Sequence, residues 1–145
     1  MLNDIYNTRI LELAGNIPRL GRLGAPQATS RQHSKLCGST VIVDMAMQDG
    51  KVSDFAQDVK ACALGQAAAA IVATHVLGRT AAELCAVRDQ VRAMLKENGP
   101  PPEGEWADAA VLEPVREYKA RHASTLLAFE AAAAAASEIA AAQER

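Results

Sequence analysis

Aromatic residues are scarce in this chain of 145 residues, which carries one Trp, two Tyr and two Phe. A core with so few rings has to close through small side chains. Half the residues are apolar and alanine is abundant, a composition that favours helices packed close together. No stretch holds eighteen unbroken apolar residues, and the N-terminus lacks the basic-then-apolar order of a secretory signal. Neither a membrane partner nor export is therefore expected, and the expected location is the cytoplasm. Basic charge is not in excess either: 15 Lys and Arg against 17 Asp and Glu leave a net charge of −2. That balance gives no electrostatic case for nucleic acid or an anionic membrane surface. There are only three cysteines, which in a reducing compartment read as thiols or metal ligands rather than a disulfide framework. A glycine-rich phosphate loop, a nucleophile elbow and a paired-carboxylate pattern are all missing, so no enzymatic activity is expected. The length predicts one domain, residues 1–145.

What is present centres on the stretch from Cys37 to Cys62. Val41, Val43, Met45 and Met47 alternate with Ile42, Asp44 and Ala46, and Asp49-Gly50 follows as a two-residue turn signal. A regular hairpin turned there pairs residues whose numbers sum to 99, as those of Cys37 and Cys62 do. Residues so paired lie about 5 Å apart at the backbone, within reach of one metal ion. Strict pairing puts Phe55 and Val59 on the face opposite Val43 and Met45. Either both faces are covered, or a one-residue bulge lies between Val52 and Phe55 and shifts the cysteines by one position.

Around the hairpin the chain reads as helical. Asn3 or Asp4 is a candidate cap for a first helix bearing Ile5, Tyr6, Ile10 and Leu13 and stopping at Gly15. The Gly-, Pro-, Arg- and Ser-rich segment 16–34 holds a candidate short strand near Ala28–His33. An alanine-rich helix opens at Cys62 and stops at Gly78. The capping box Thr80-Ala-Ala-Glu83 then starts another, with Leu84, Val87, Val91 and Leu95 as its stripe. Asn98-Gly99-Pro100-Pro101-Pro102 ends that helix and begins a linker or exposed loop to Ala107. A short helix around Ala109–Leu112 and a long one from about Ala120 to Ala142 complete the chain. The alanine run of the last helix has high helix propensity but little to anchor it. The expected fold is α+β: a small antiparallel sheet of about three strands against a layer of helices.

Cys62 sits where a strand hands over to a helix, a position that favours thiolate, the form that binds metals and accepts sulfur. Cys37 precedes Gly38, which lets the backbone approach closely. Cys85, beside the Leu84/Val87 stripe, reads as a core thiol. His33 and His75 read as surface or structural residues, whereas His122 begins the last helix and is a candidate third ligand. Asp44, Asp49, Asp54 and Asp58 read as exposed hairpin positions.

These residues, in this order, resemble the iron–sulfur cluster assembly scaffolds of the NifU N-terminal, IscU and SufU kind. Ile5-Tyr6, Ile10-Leu11 and Asn16 ahead of Gly21 resemble the opening helix and the segment after it. Cys37-Gly38 stands where the family has Cys-Gly-Asp, and Asp49-Gly50-Lys51-Val52 with Asp54 resembles its hairpin. Cys62, with Gly78-Arg79-Thr80 further on, matches the second cysteine and the Gly-Lys-Thr/Ser that follows it. Val115-Arg116 and Tyr118 to Arg121 are similar to the stretch before the third cysteine. There the chain departs: Ser39 replaces the aspartate, and the third cysteine falls on Ser124, or on Ala123 if His122 is matched to the histidine of the IscU branch. Leu112-Glu-Pro-Val-Arg116 echoes the IscU chaperone-recognition motif but lies too far before His122 to carry that role.

The resemblance implies a scaffold or accessory in iron–sulfur cluster biogenesis. It would accept sulfur from a cysteine desulfurase and serve iron–sulfur acceptor proteins. Iron, zinc or a nascent Fe-S cluster would be held on Cys37 and Cys62, closed by His122, with Ser39 and Ser124 as the other ligand positions. The alternative is a family member that has lost cluster assembly and acts as a protein-binding partner or regulator of the sulfur-mobilising machinery.

Overall fold

A computed structural model describes residues 6–143. The elements run α1 (Thr8–Gly15), β1 (Ala28–His33), β2 (Thr40–Gln48), β3 (Lys51–Lys60), α2 (Ala63–His75), α3 (Ala81–Lys96) and α4 (His122–Gln143). Two 3-10 segments, Gly104–Glu117 and Lys119–Arg121, lead into α4. The three strands form one antiparallel sheet in the order β1-β2-β3, so the α+β architecture is the one expected.

Asp49 (φ 56) and Gly50 (φ 78) both take the left-handed conformation that a two-residue hairpin turn of matching twist requires. Next to the turn, Gln48 faces Lys51 and Met47 faces Val52; beyond it the register slips by one, so that Ala46 faces Asp54 and Met45 faces Phe55. Ser53 is the extra residue, which places the bulge between Val52 and Phe55. The slip brings Phe55 and Gln57 opposite Met45 and Val43, and all four are buried on one face of the sheet.

That inner face is covered by α4, which packs on β1 and β2, while α2 and α3 pack on α4 and α1 packs on α2. Ala131, Ala132, Ala133, Ala135 and Ala136 are all buried. The alanine run is anchored here because methyl side chains let neighbouring helices close around it, and the last turn, residues 141–143, is exposed. The segment Lys119–Gln143 has the length and hydropathy of a membrane span, but 61% of its most apolar window is buried inside the protein.

Three expectations change. The expected caps Asn3 and Asp4 lie outside the described residues, and α1 begins at Thr8 with the Asn7 side chain accepting from the Ile10 N–H at 3.0 Å. The stretch after Pro102 is not a loop as far as Ala107: 3-10 structure begins at Gly104 and buries Trp106, whose ring lies 5.5 Å from His75 and 6.3 Å from Phe129. Asp44 is not exposed. It lies on the outer face of the sheet, fully buried under the segment that crosses from α1 to β1. Arg22 donates to both its oxygens at 2.6 and 3.1 Å, Thr29 Oγ1 at 2.6 Å and the Leu23 N–H at 3.0 Å. The same segment closes the free edge of β3, where Gly21 N–H donates to the Gln57 carbonyl and Gln57 N–H to that of Arg19.

Candidate functional site

The two cysteines of interest leave the same end of the sheet. Cys37 lies in the turn from β1 to β2. There the Ser34 N–H donates to the Ser39 carbonyl at 2.9 Å and the Gly38 N–H to the Ser34 carbonyl at 2.8 Å. Gly38 takes φ 75, so glycine is what lets the turn close directly after the cysteine. Ser34 and Ser39 are buried in the neck of this turn while Cys37 is exposed at its tip. Cys62 follows β3 by two residues and is the N-cap of α2, half-buried, with extended backbone and no side-chain capping bond.

The third element is the first turn of α4. Ser124 is buried, and its Oγ lies 3.5 Å from Sγ of Cys62 and 3.2 Å from the Arg121 carbonyl, to which it donates. The same hydroxyl is the weakest of the groups that lower the Cys37 pKa. Ser39 Oγ lies 3.0 Å from Cys37 Sγ. Burial pushes the Cys37 thiol up, but hydrogen bonds from the Ser39 and Ser34 hydroxyls, the Ser39 backbone and the Ser124 hydroxyl outweigh it. Together they bring its pKa from 9.0 to about 7. Close to half of Cys37 is thus thiolate, the nucleophilic and metal-binding form, near neutral pH.

The approach of α4 to Cys62 depends on a residue that sequence reading missed. A Cβ on Gly65, in the first turn of α2, would stand 2.8 Å from Cβ of Ala61 and 3.1 Å from the backbone oxygen of Ser124. Only a bare backbone lets the two helix starts meet. A glycine in the first turn of an otherwise alanine-rich helix was the available signal.

His122 is placed differently from the two cysteines. Its ring is buried, and Nε2 lies 3.1 Å from the carbonyl oxygens of both Val115 and Arg116. Carbonyls only accept, so Nε2 carries a proton and ties the start of α4 to the preceding 3-10 segment, leaving Nδ1 as the nitrogen with a lone pair. Among the described residues no group of three or more His, Cys, Asp or Glu side chains is arranged to hold a metal ion. Ser39 is brought to Cys37 and Ser124 to Cys62, at the same end of the sheet; His122 is not brought into a ligand set with them. His33 Nδ1 lies 2.8 Å from Thr40 Oγ1, and His75 Nε2 lies 2.8 Å from Asp108 Oδ2. Cys85, half-buried on α3, has Sγ 3.3 Å from Ser137 Oγ of α4, away from the paired thiols.

Residues 5–125 match the family described as NifU-like N terminal domain. The chain is 58% identical to a nitrogen-fixing NifU-like protein (N-terminal) from Brucella abortus over 97% of both chains, and the two structures agree with a TM-score of 0.94. It is 22% identical over 127 residues, 87% of this chain and 88% of the relative, to the iron–sulfur cluster assembly scaffold protein IscU of Thermotoga maritima. A candidate iron–sulfur cluster assembly scaffold protein for the SUF system from Fervidobacterium islandicum shares the fold, with a TM-score of 0.84 at 18% identity over 92% of this chain and 98% of that one. The match over residues 5–125, with the same fold in the relatives, places this chain in the NifU-like N-terminal domain family.

Proposed function

We propose that the protein serves iron–sulfur cluster assembly, accepting sulfur at Cys37 and holding iron, zinc or a nascent cluster between Cys37 and Cys62. The observation that carries this reading is that Cys37 and Cys62 leave the same end of the sheet, each beside a serine hydroxyl, Ser39 and Ser124, with Ser124 one of the two positions matched to the family's third cysteine. Thiolates suit iron, zinc and sulfide, whereas neutral hydroxyls are weak donors to such metals. The donor set is therefore two sulfurs with Ser39 and Ser124 beside them, open to solvent at Cys37. Such a site suits brief loading better than storage. His122 would join as a third ligand only through Nδ1, and otherwise acts by fixing the start of α4 and with it Ser124.

Sulfur acceptance needs no oxidant. The Cys37 thiolate attacks the outer sulfur of a persulfide on a cysteine desulfurase. The S–S bond to the donor breaks, a new one forms on Cys37, and the donor cysteine leaves as thiolate. Iron–sulfur acceptor proteins would then take the assembled product.

The test is iron, zinc and acid-labile sulfide content after purification without oxygen, with transfer of labelled sulfur from cysteine and a desulfurase. Cys37→Ala should abolish sulfur labelling, and both Cys37→Ala and Cys62→Ala should lower metal content, while Ser124→Ala and Cys85→Ala leave labelling in place. Labelling that persists in Cys37→Ala would overturn the reading. The second reading, a partner or regulator that has lost cluster assembly, is favoured by the lack of a three-residue ligand group among the described residues. It predicts desulfurase binding with neither labelling nor metal.

A further inference from the structure

The segment that crosses the outer face of the sheet covers only part of it. Three cross-strand rows run over that face: Thr29–Asp44–Ala56, Arg31–Ile42–Asp58 and His33–Thr40–Lys60. Arg22 and Leu23 cover the first through Asp44. The other two are open and enclose a hollow of about 150 Å³ lined by Arg31, Thr40, Ile42, Asp58 and Lys60.

Three charged groups surround this hollow, and among the described residues none of their side chains takes part in an ion pair or hydrogen bond. Arg31 and Asp58 lie in one row with Ile42 between them, two strand spacings or about 10 Å apart at the backbone. Lys60 follows Asp58 on the same strand and face. Arg22 attracts Asp58 through space, but its guanidinium is engaged by Asp44. The hollow therefore offers two cations, one carboxylate and an apolar floor at Ile42, while the Thr40 hydroxyl is engaged by His33 Nδ1. A simple anion would meet Asp58 and a simple cation would meet Arg31 and Lys60. A molecule carrying both charges satisfies all three, and the volume limits it to a few heavy atoms.

We propose that this hollow binds a small zwitterion of the α-amino acid class, its carboxylate between Arg31 and Lys60 and its ammonium on Asp58. The site is separate from the paired thiols and does not depend on what they carry. It has a physical route to them all the same. Thr40 and Lys60 are paired residues at the ends of β2 and β3, and the segments that bear Cys37 and Cys62 leave the sheet there. A ligand bridging Arg31 and Lys60 would tighten that end.

The test is titration of the ¹⁵N-labelled protein with L-alanine, acetate and ethylammonium, followed by backbone amide shifts. L-Alanine should move the amides of Arg31, Ile42 and Lys60 along saturable curves, with acetate and ethylammonium each weaker by about tenfold or more, the worth of one charge-assisted contact. Asp58→Asn should weaken L-alanine by a similar factor while strengthening acetate, because the same change removes an ammonium partner and a repelling carboxylate. Lys60→Gln should weaken both. Acetate binding as tightly as L-alanine would reduce the hollow to an adventitious anion site and overturn the proposal. So would shifts that fail to saturate with L-alanine up to about 50 mM, well above the millimolar affinity such contacts give.

Discussion

Sγ of Cys62 lies 3.5 Å from Oγ of Ser124, a residue 62 positions further along the chain. The contact joins the start of α2 to the start of α4 at the open end of the sheet. The Ser124 hydroxyl accepts from the Cys62 thiol and gives its single proton to the Arg121 carbonyl. When Cys62 loses its own proton its thiolate competes with the carbonyl for the hydroxyl proton, and a metal on Cys62 would shift the balance.

Gly65→Ala tests how this contact is held. In an ordinary helix the change would stabilise by about 1 kcal/mol through propensity. Here the new Cβ meets Ala61 Cβ at 2.8 Å and the Ser124 backbone oxygen at 3.1 Å, and backbone cannot swing aside as a flexible side chain does. Overpacking of this kind costs about 1–3 kcal/mol, so the net effect should be a loss of about 1 kcal/mol. Urea unfolding checks the sign, and a stabilised variant would show that α4 yields at no cost.

Much of the fold is legible in the residues because its signals are local. Asp49-Gly50 carries its own turn geometry, and Thr80 with Glu83 forms the capping box within one helical turn. The alternation around Val43 with the position of Phe55 leaves two possibilities, both faces covered or a bulge before Phe55, and the structure places a bulge at Ser53. What is not legible depends on segments distant in sequence. Asp44 reads as exposed because it alternates with apolar residues, and the loop that buries it arrives with Arg22 from 22 residues away. His122 invites a metal reading by its place at a helix start. Its true neighbours, the Val115 and Arg116 carbonyls, depend on 3-10 structure that no local pattern announces.

Asp44 should dominate the acid limb of stability. The Arg22 hydrogen bonds lower its pKa, burial opposes them, and the bonds from Thr29 and the Leu23 N–H add to the lowering, which takes it from 3.8 to about 2. A carboxylate with a depressed folded pKa contributes stability that is complete above the unfolded value and drains away as pH falls through the folded one. Stability should therefore fall between about pH 4 and pH 2 by about 2 kcal/mol from this residue. In Asp44→Asn that part of the slope should vanish and stability at pH 7 should drop. Denaturant unfolding at a series of pH values measures both, and an unchanged slope would show that Asp44 is not the group responsible.

Cys37 should alkylate with a midpoint near pH 7, set by its thiolate fraction. Ser39→Ala removes a hydroxyl 3.0 Å from the sulfur, a group that favours the charged form, so the midpoint should move up. Mass spectrometry that resolves Cys37 from Cys62 and Cys85 gives the rate at each pH. A midpoint that stays in place, or moves down, would mean that the serine hydroxyl does not stabilise the thiolate.

Ser124→Cys asks whether the site is a three-thiol centre lacking one sulfur. The substituted side chain starts from a buried position in the first turn of α4, with Cys62 Sγ 3.5 Å from the present oxygen, at the end of the sheet where the Cys37 turn also lies. Oxygen and sulfur differ in size, but the exposed Cys37 turn has room to give way. A third thiolate would raise the site to the minimum of three protein ligands seen in open zinc centres. Even outer-shell changes alter metal affinity by about 10–100-fold, so a new direct ligand should raise zinc affinity by at least about tenfold. Loss of the Ser124 hydroxyl, the weakest of the groups favouring the Cys37 thiolate, should also raise the Cys37 thiol slightly in the metal-free protein, an opposing effect visible as slower alkylation at neutral pH. Zinc titration against a chromophoric chelator reads the first effect, and alkylation of the apoprotein reads the second. If affinity in Ser124→Cys matches the parent protein while Cys37→Ala still lowers it, the third ligand comes from elsewhere, and His122 through Nδ1 becomes the residue to change next.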